Sequence, residues 1–214
     1  GKKDEERLDL LNEVYNPASS QFLSGILSQN KGHALELGCG TGILSRMVAD
    51  IIYPYKILAV DNHSQQIEIA KKKGSIPQNL EFCVADARDS LVNGVLYNII
   101  YARFLLVHLN DAFNVLNLIK DALTADGVVV IEDVESANSQ YVNGDPILSK
   151  KLLEVDQIQW YELFPKNGIM EQLEQLGFEI VIERSFHPEL KTAEHRKLLT
   201  WGLESVKDSL ISSN

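Results

Sequence analysis

The stretch that most constrains this chain is Leu35-Glu36-Leu37-Gly38-Cys39-Gly40-Thr41-Gly42. A short apolar run ends in three glycines at alternate positions. A helical pattern follows at once, with Ile43, Leu44, Met47, Val48 and Ile51 on one side of 43–52. Glycines in a strand-to-helix turn let the backbone reverse sharply and let a ligand lie against bare main chain. Their spacing discriminates between ligands. A dinucleotide fingerprint needs G-x-G-x-x-G. Counted from Gly38 and Gly40, its third glycine falls on Ile43, whereas the repeat here closes at Gly42.

Around this turn, short apolar runs alternate with helical stretches. Strands are expected at 33–37, 56–60, 80–84, 97–102 and 128–132. Helices are expected at 43–52 and at 64–73, where Gly74 ends the second. A further helix, capped by Asn110 or Asp111, carries Phe113, Leu116, Ile119 and Leu123, and Asp126-Gly127 turns the chain into the last strand. Such alternation predicts an α/β fold, a doubly wound, Rossmann-like, mostly parallel sheet with right-handed crossovers. Val128-Val129-Val130-Ile131 is apolar at every position, as a strand covered on both faces must be. Residues 1–30 read as a helical cap in which Pro17 resets the chain. Residues 136–165 read as a helical insertion bearing Trp160, Tyr161 and Phe164, placed either as a lid or as packing. Then come a helix at 169–176 stopped by Gly177, a strand at 178–183 and a helical stretch at 192–210. The whole, 1–214, reads as one domain.

Composition removes several classes of function. Twenty Lys and Arg against thirty Asp and Glu give a formal charge of −10. Such a surface repels phosphate backbones and anionic lipid, so neither nucleic acid nor membrane is an expected partner. Lys71-Lys72-Lys73 reads as a solvated helix end. No run of 18 apolar residues is present. The opening Lys2-Lys3-Asp4-Glu5-Glu6 has no apolar core behind it, which argues against a secretory signal. Cys39 and Cys83 suggest neither a disulfide framework nor a metal site, and Cys39 reads as a small residue packed in the loop. A cytoplasmic protein is expected.

Three acids surround the glycine turn in sequence. Asp61 ends the second strand, 19 positions after Gly42. There a carboxylate can accept from both hydroxyls of a ribose, or it can cap the helix at Ser64. Asp86 follows the third strand in Val84-Ala85-Asp86-Ala87. It can accept from an exocyclic amine while the Ala87 N–H faces a ring nitrogen, or it can serve only as a turn residue. Glu36 lies inside an apolar strand and needs a partner, either a ligand cation or loop N–H groups. Together they describe a nucleoside ligand without a pyrophosphate.

With these residues in place, the chain resembles the class I S-adenosylmethionine-dependent methyltransferases over about residues 6–183. LELGCGTG is similar to their first motif, AVDNH to their ribose loop and VADAR to their adenine loop. YARFLLVHLND resembles their fourth-strand motif, in the form seen in small-molecule enzymes of the ubiquinone/menaquinone type. ALTADG departs from their usual L-K-P-G-G turn at the lysine and at the first glycine. The resemblance implies S-adenosyl-L-methionine as cofactor. It implies that Gly38, Gly40 and Gly42 line the methionine portion, that Glu36 lies near its amino group, and that Asp61 holds the ribose with Asn62 beside the adenine. Asp86 and Ala87 would read the adenine edge. Ala102 and Arg103 would sit near the sulfonium, and Tyr15 would cover the methionine carboxylate.

The expected activity is direct in-line methyl transfer to a small-molecule acceptor. A protein base matters only if the acceptor must lose a proton, and the candidates are His108, Glu132 and Asp133. Arg103 either orients the substrate or pairs with an acid. Two rival readings are a nicotinamide-dependent oxidoreductase, which the glycine spacing and the Asp86 loop oppose, and a non-catalytic S-adenosylmethionine-binding protein. The family resemblance implies an antiparallel strand pair at the end, yet the sequence offers only 178–183. This predicts a chain lacking its last strand, or an open edge covered by a partner such as a second copy in a homodimer.

Overall fold

A computed structural model describes residues 2–91, 93–109, 111–133, 168–184, 186 and 192. Five strands, β1 (Ala34–Leu37), β2 (Ile57–Asp61), β3 (Leu80–Val84), β4 (Tyr97–Arg103) and β5 (Leu123–Glu132), form one sheet in the order β3-β2-β1-β4-β5. Every pairing is parallel. The described helices are α1 (Lys2–Leu27), α2 (Ile43–Ile52), α3 (Ser64–Lys72), α4 (Ala87–Leu91), α5 (Ala112–Ala122) and α6 (Ile169–Gln175). β1 has β2 on one side and β4 on the other. The winding direction reverses between β1 and β4, and a crevice opens there at the carboxyl ends of the strands.

Alternate residues of each strand feed two separate cores. Ala34, Ile57, Ile99 and Tyr101 pack with Leu23, Leu27, Val48 and Ile52 under α1 and α2. Leu35, Leu37, Val60 and Ile100 pack with Leu116, Ile119 and Leu173 under α5 and α6. Burial on both faces is why the strands carry so few polar residues. Glu36, in the middle of the sheet, is the buried charged residue among the described strands.

The structure departs from the sequence reading in three places. Pro17 does not break the cap: α1 runs unbroken through it. An interior proline costs roughly 3 kcal/mol. Tertiary contacts offset this, since Leu23 and Leu27 beyond the proline are fully buried and residues on both sides of it grip the sheet, as shown below. The Asp126-Gly127 turn is absorbed into β5. Leu123 pairs with Tyr97 and Val128 with Ile99, so the residues between them bulge from the ladder. Residues 178–183 form no strand. Phe178 and Ile180 pack against the second core, but Val181 and Ile182 face solvent, and among the described residues the segment pairs with no edge. The sheet is thus wholly parallel among the described residues. Helix α4 and the 3₁₀ turn Leu106–His108 had no sequence expectation. The insertion at 136–165 with Trp160, Tyr161 and Phe164, Asn110, and all of 192–210 except Thr192 lie outside the described residues. No described helix is long and apolar enough to cross a membrane.

Candidate functional site

The glycine turn is held open by its own backbone. Gly38, Gly40 and Gly42 have φ of 70°, 54° and 68°, the left-handed region that only glycine enters cheaply. Gly42 is also sterically required, and Gly38 is tightly neighboured. A Cβ on Gly42 would lie 2.4 Å from Cζ of Phe82, and one on Gly38 would lie 3.2 Å from Cδ1 of Leu105. Gly40 differs: a Cβ there would meet nothing within 4 Å. Bare backbone at Gly40 faces open space in the crevice.

Asp61 anchors that turn. Its Oδ2 accepts from the Gly40 N–H at 3.0 Å and its Oδ1 from the His63 N–H at 2.9 Å. The residue at the cap position of α3 is His63, with no side-chain cap, so Asp61 is not the helix cap. Each carboxylate oxygen has a second lone pair, which leaves acceptor capacity for a ribose. Asn62 beside it is exposed.

Glu36 is 4% exposed, and its Oε2 has no hydrogen-bond partner. Ser45, in the first turns of α2, is wholly buried and its hydroxyl is also without a partner. Burial pushes the Glu36 carboxyl up to about 7. The nearby Ser45 hydroxyl and the Arg103 charge oppose that rise, and Asp61 adds to it. An orphaned carboxylate oxygen behind open backbone fits the ammonium of an amino-acid tail. Cys39 beside it is buried and its thiol is pushed far up, first by burial and then by Glu36 and Asp61, so it stays protonated and unreactive.

On the far side of β2, Asp86 starts α4. Arg88 donates to it three times: from its N–H at 2.9 Å and Nε at 2.8 Å to Oδ1, and from its second guanidinium nitrogen at 2.8 Å to Oδ2. Those bonds hold the Asp86 carboxyl down at about 2. Asp86 is therefore an acceptor only, with one lone pair of Oδ2 still open, the valence an adenine amino group needs. Its bond from the Arg88 N–H places it at the start of α4. Ala87 is the first residue of that helix.

The other wall of the crevice is built from α1 and the ends of β4 and β5. Arg103 reaches Asn12 Oδ1 at 2.7 Å, Asn16 Oδ1 at 2.8 Å and Ser19 Oγ at 3.4 Å. Ser19 donates to Glu132 Oε2 at 2.6 Å, and the buried Tyr101 hydroxyl donates to Glu132 Oε1 at 2.7 Å. Glu132 is thus a structural acceptor between α1 and the sheet, and Arg103 is paired with amides rather than with an acid. Asp133 Oδ2 accepts from the Val107 N–H at 3.1 Å, which fixes the turn carrying His108. His108 keeps an exposed edge, while partial burial and Arg7 hold its imidazole below the usual histidine range. Tyr15 packs edge-on against Phe104 and Phe186, with ring centroids 5.1 and 6.4 Å away, and burial raises its phenol. Ala102 is buried beside Leu37 in the ladder.

Sequence reasoning passed over Phe104, Arg88, Asn12, Asn16 and Ser19. Phe104 has φ 51°, a left-handed conformation for an aromatic residue. Its ring lies under the Arg103 guanidinium at 5.3 Å, and its N–H donates to Glu132 O at 2.8 Å. Strain of this kind concentrates at binding sites. The position after Arg103 gave no sequence signal for it.

The sheet order and its flanking helices define a doubly wound α/β protein. The methyltransferase domain family matches residues 12–183, and the chain belongs to that family. A curated relative, malonyl-[acyl-carrier protein] O-methyltransferase of Acetivibrio thermocellus, is 23% identical over 130 residues, covering 61% of this chain. The chain spans about half the length of that relative, 45% of which is matched. Among solved structures, the plantazolicin methyltransferase BpumL in complex with SAH aligns over 99% of this chain and 86% of its own, with a TM-score of 0.59 and 13% identity. The plantazolicin methyltransferase BamL, bound to a triazolic desmethylPZN analog and SAH, aligns over 100% and 85%, with a TM-score of 0.56 and 15% identity. At these identities the likeness is one of fold.

Proposed function

We propose that this protein transfers a methyl group from S-adenosyl-L-methionine to a small-molecule acceptor in the cytoplasm. The observation that carries this reading is the open backbone at Gly40, tied to Asp61 on one side and backed by the unpartnered Glu36 on the other. Bound there, the cofactor would supply an electrophilic methyl on a sulfonium whose departing thioether needs no acid. The chain's own work is then binding and alignment. Gly38 and Gly40 give backbone approach, Glu36 offers an anion to the amino group, Asp61 takes the ribose hydroxyls, and Asp86 with the Ala87 N–H takes the adenine edge. Arg103 and Ala102, at the end of β4, border the place where the acceptor meets the methyl. The aromatic wall of Tyr15 and Phe104 excludes water there. Positioning two reactants in a dry site is worth effective molarities up to ~10⁵–10⁸ M, which leaves little for acid–base groups to add. Where an acceptor must lose a proton, His108 is the best placed, because its lowered pKa keeps it neutral near pH 7. Asp133 then acts by fixing the turn that carries it. The compounds printed with the relatives, a triazolic desmethylPZN analog and a malonyl-[acyl-carrier protein], support a compact organic acceptor.

Isothermal titration tests the reading. S-adenosylmethionine and S-adenosylhomocysteine should both bind and NAD should not. Tight NAD binding, or no binding of the two sulfur nucleosides, would overturn it.

A further inference from the structure

We propose that Glu36 makes cofactor binding a proton-exchange step: it stands protonated in the empty cleft and surrenders that proton to solvent when the ligand's ammonium arrives. The inference rests on the cofactor reading above and concerns only how the amino group is received.

The geometry leads to it directly. Glu36 occupies the middle of β1, with β2 and β4 hydrogen-bonded on either side. Among the described residues no cation is bonded to it, and its Oε2 is buried without a partner. The neighbouring elements supply few charges. β2 contributes Asp61, an anion. β4 contributes Tyr101, whose phenol is held well above its ordinary value, and Arg103, whose guanidinium is bonded to Asn12, Asn16 and Ser19 on α1. The loop contributes Cys39, which stays protonated. α2 contributes the Ser45 hydroxyl, while its Arg46 is turned away to the carbonyls of Gly42, Ala70 and Ser75. A carboxylate so placed is costly while the cleft holds no cation. A ligand ammonium changes the balance: the O–H bond of Glu36 breaks, the proton leaves to the buffer, and the carboxylate pairs with the ammonium. Between acid and neutral pH, the ligand must therefore displace a proton in order to bind.

The probe is S-adenosylhomocysteine, titrated calorimetrically into the full chain in buffers of different ionisation enthalpy. With a free-state carboxyl near 7, about 0.9 proton should leave per ligand bound at pH 6, and affinity should rise roughly eightfold from pH 6 to pH 7.5. Glu36→Gln copies the shape of the protonated acid, and its Glu36-dependent release and slope should vanish. Should that variant not fold, an infrared difference spectrum of carboxyl-labelled wild type gives a separate readout, since a buried carboxylic acid band must disappear on adding the ligand. Binding with no proton release, a slope unchanged in Glu36→Gln, or a persistent acid band overturns this proposal and leaves the cofactor reading standing. No binding at any pH overturns both.

Discussion

The two walls of the crevice are built on different principles. The wall formed by β1, β2 and β3 is held by carboxylates gripping nearby N–H groups, of the backbone at Gly40, His63 and Arg88 and of the Arg88 side chain. Asp61 takes Gly40 and His63, and Asp86 takes Arg88. The partners lie 2 or 21 residues apart in the chain. The opposite wall is held by side chain on side chain across great sequence distance: Arg103 to Asn16 and Asn12 over 87 and 91 residues, Ser19 to Glu132 over 113. The first wall is local. The second joins a separate helix to two strand ends.

The sharpest way to break the comparison is within the glycine turn. Gly42→Ala drives a methyl into the Phe82 ring from a left-handed backbone. It should cost about 3–5 kcal/mol, read by urea denaturation. Gly40→Ala meets open space and should cost only about 1–2 kcal/mol, while losing more than about tenfold in S-adenosylhomocysteine affinity because the methyl fills ligand space. An unchanged S-adenosylhomocysteine affinity in Gly40→Ala would show that Gly40 does not face a ligand.

Next in size is the free protein's response to pH. Burial raises the Glu36 carboxyl from 4.5 to about 7, so the folded state holds a proton that the unfolded chain has released. That makes stability fall as pH rises from about 4.5 to 7. Against wild type, Glu36→Gln should therefore gain up to about 3 kcal/mol on going from pH 4.5 to 8, and saturating ligand should narrow the difference. A constant difference across that range would mean that Glu36 is ionised in the empty cleft.

On the opposite wall, Glu132→Ala strips the acceptor from the buried Tyr101 hydroxyl and from Ser19. A loss of about 2 kcal/mol is expected, with faster amide exchange in α1 and little change in affinity for S-adenosylhomocysteine. A large fall in that affinity would mean the two walls are not separable.

The same contrast explains what could be read from the chain. Alternate glycines, the acid after β2 and the acid after β3 are each adjacent in sequence to the element that positions them, so a single segment discloses them. Pro17 misled because only the docking of Asn12, Asn16, Ser19, Leu23 and Leu27 onto the sheet shows why the helix persists through it. Residues 178–183 alternate in the manner of a strand, but pairing depends on an available edge, which a local pattern does not contain. Glu132 and Asp133 looked alike as acids ending β5. One joins Ser19 to Tyr101 and the other fixes the Val107 turn, a distinction made wholly by partners remote in the chain.

The smallest effect expected is at Arg88. Its side chain and that of Asp86 are partly exposed, at 48% and 30%, so Arg88→Ala should change stability at neutral pH by less than about 1 kcal/mol. Asp86 is held down at about 2, so its pairing stabilises the fold above the ordinary carboxylate range. That stabilisation should fade as pH drops towards 2 in wild type and be smaller in the variant. The Arg88 backbone N–H still reaches Asp86 after truncation, so the carboxylate keeps one of its three anchors. Affinity for S-adenosylhomocysteine should fall only about two- to fivefold, because Asp86 remains an acceptor but is less well aimed. A loss of tenfold or more would show that this wall, too, depends on side-chain pairing, and the contrast with Arg103 and its amides would then be one of degree.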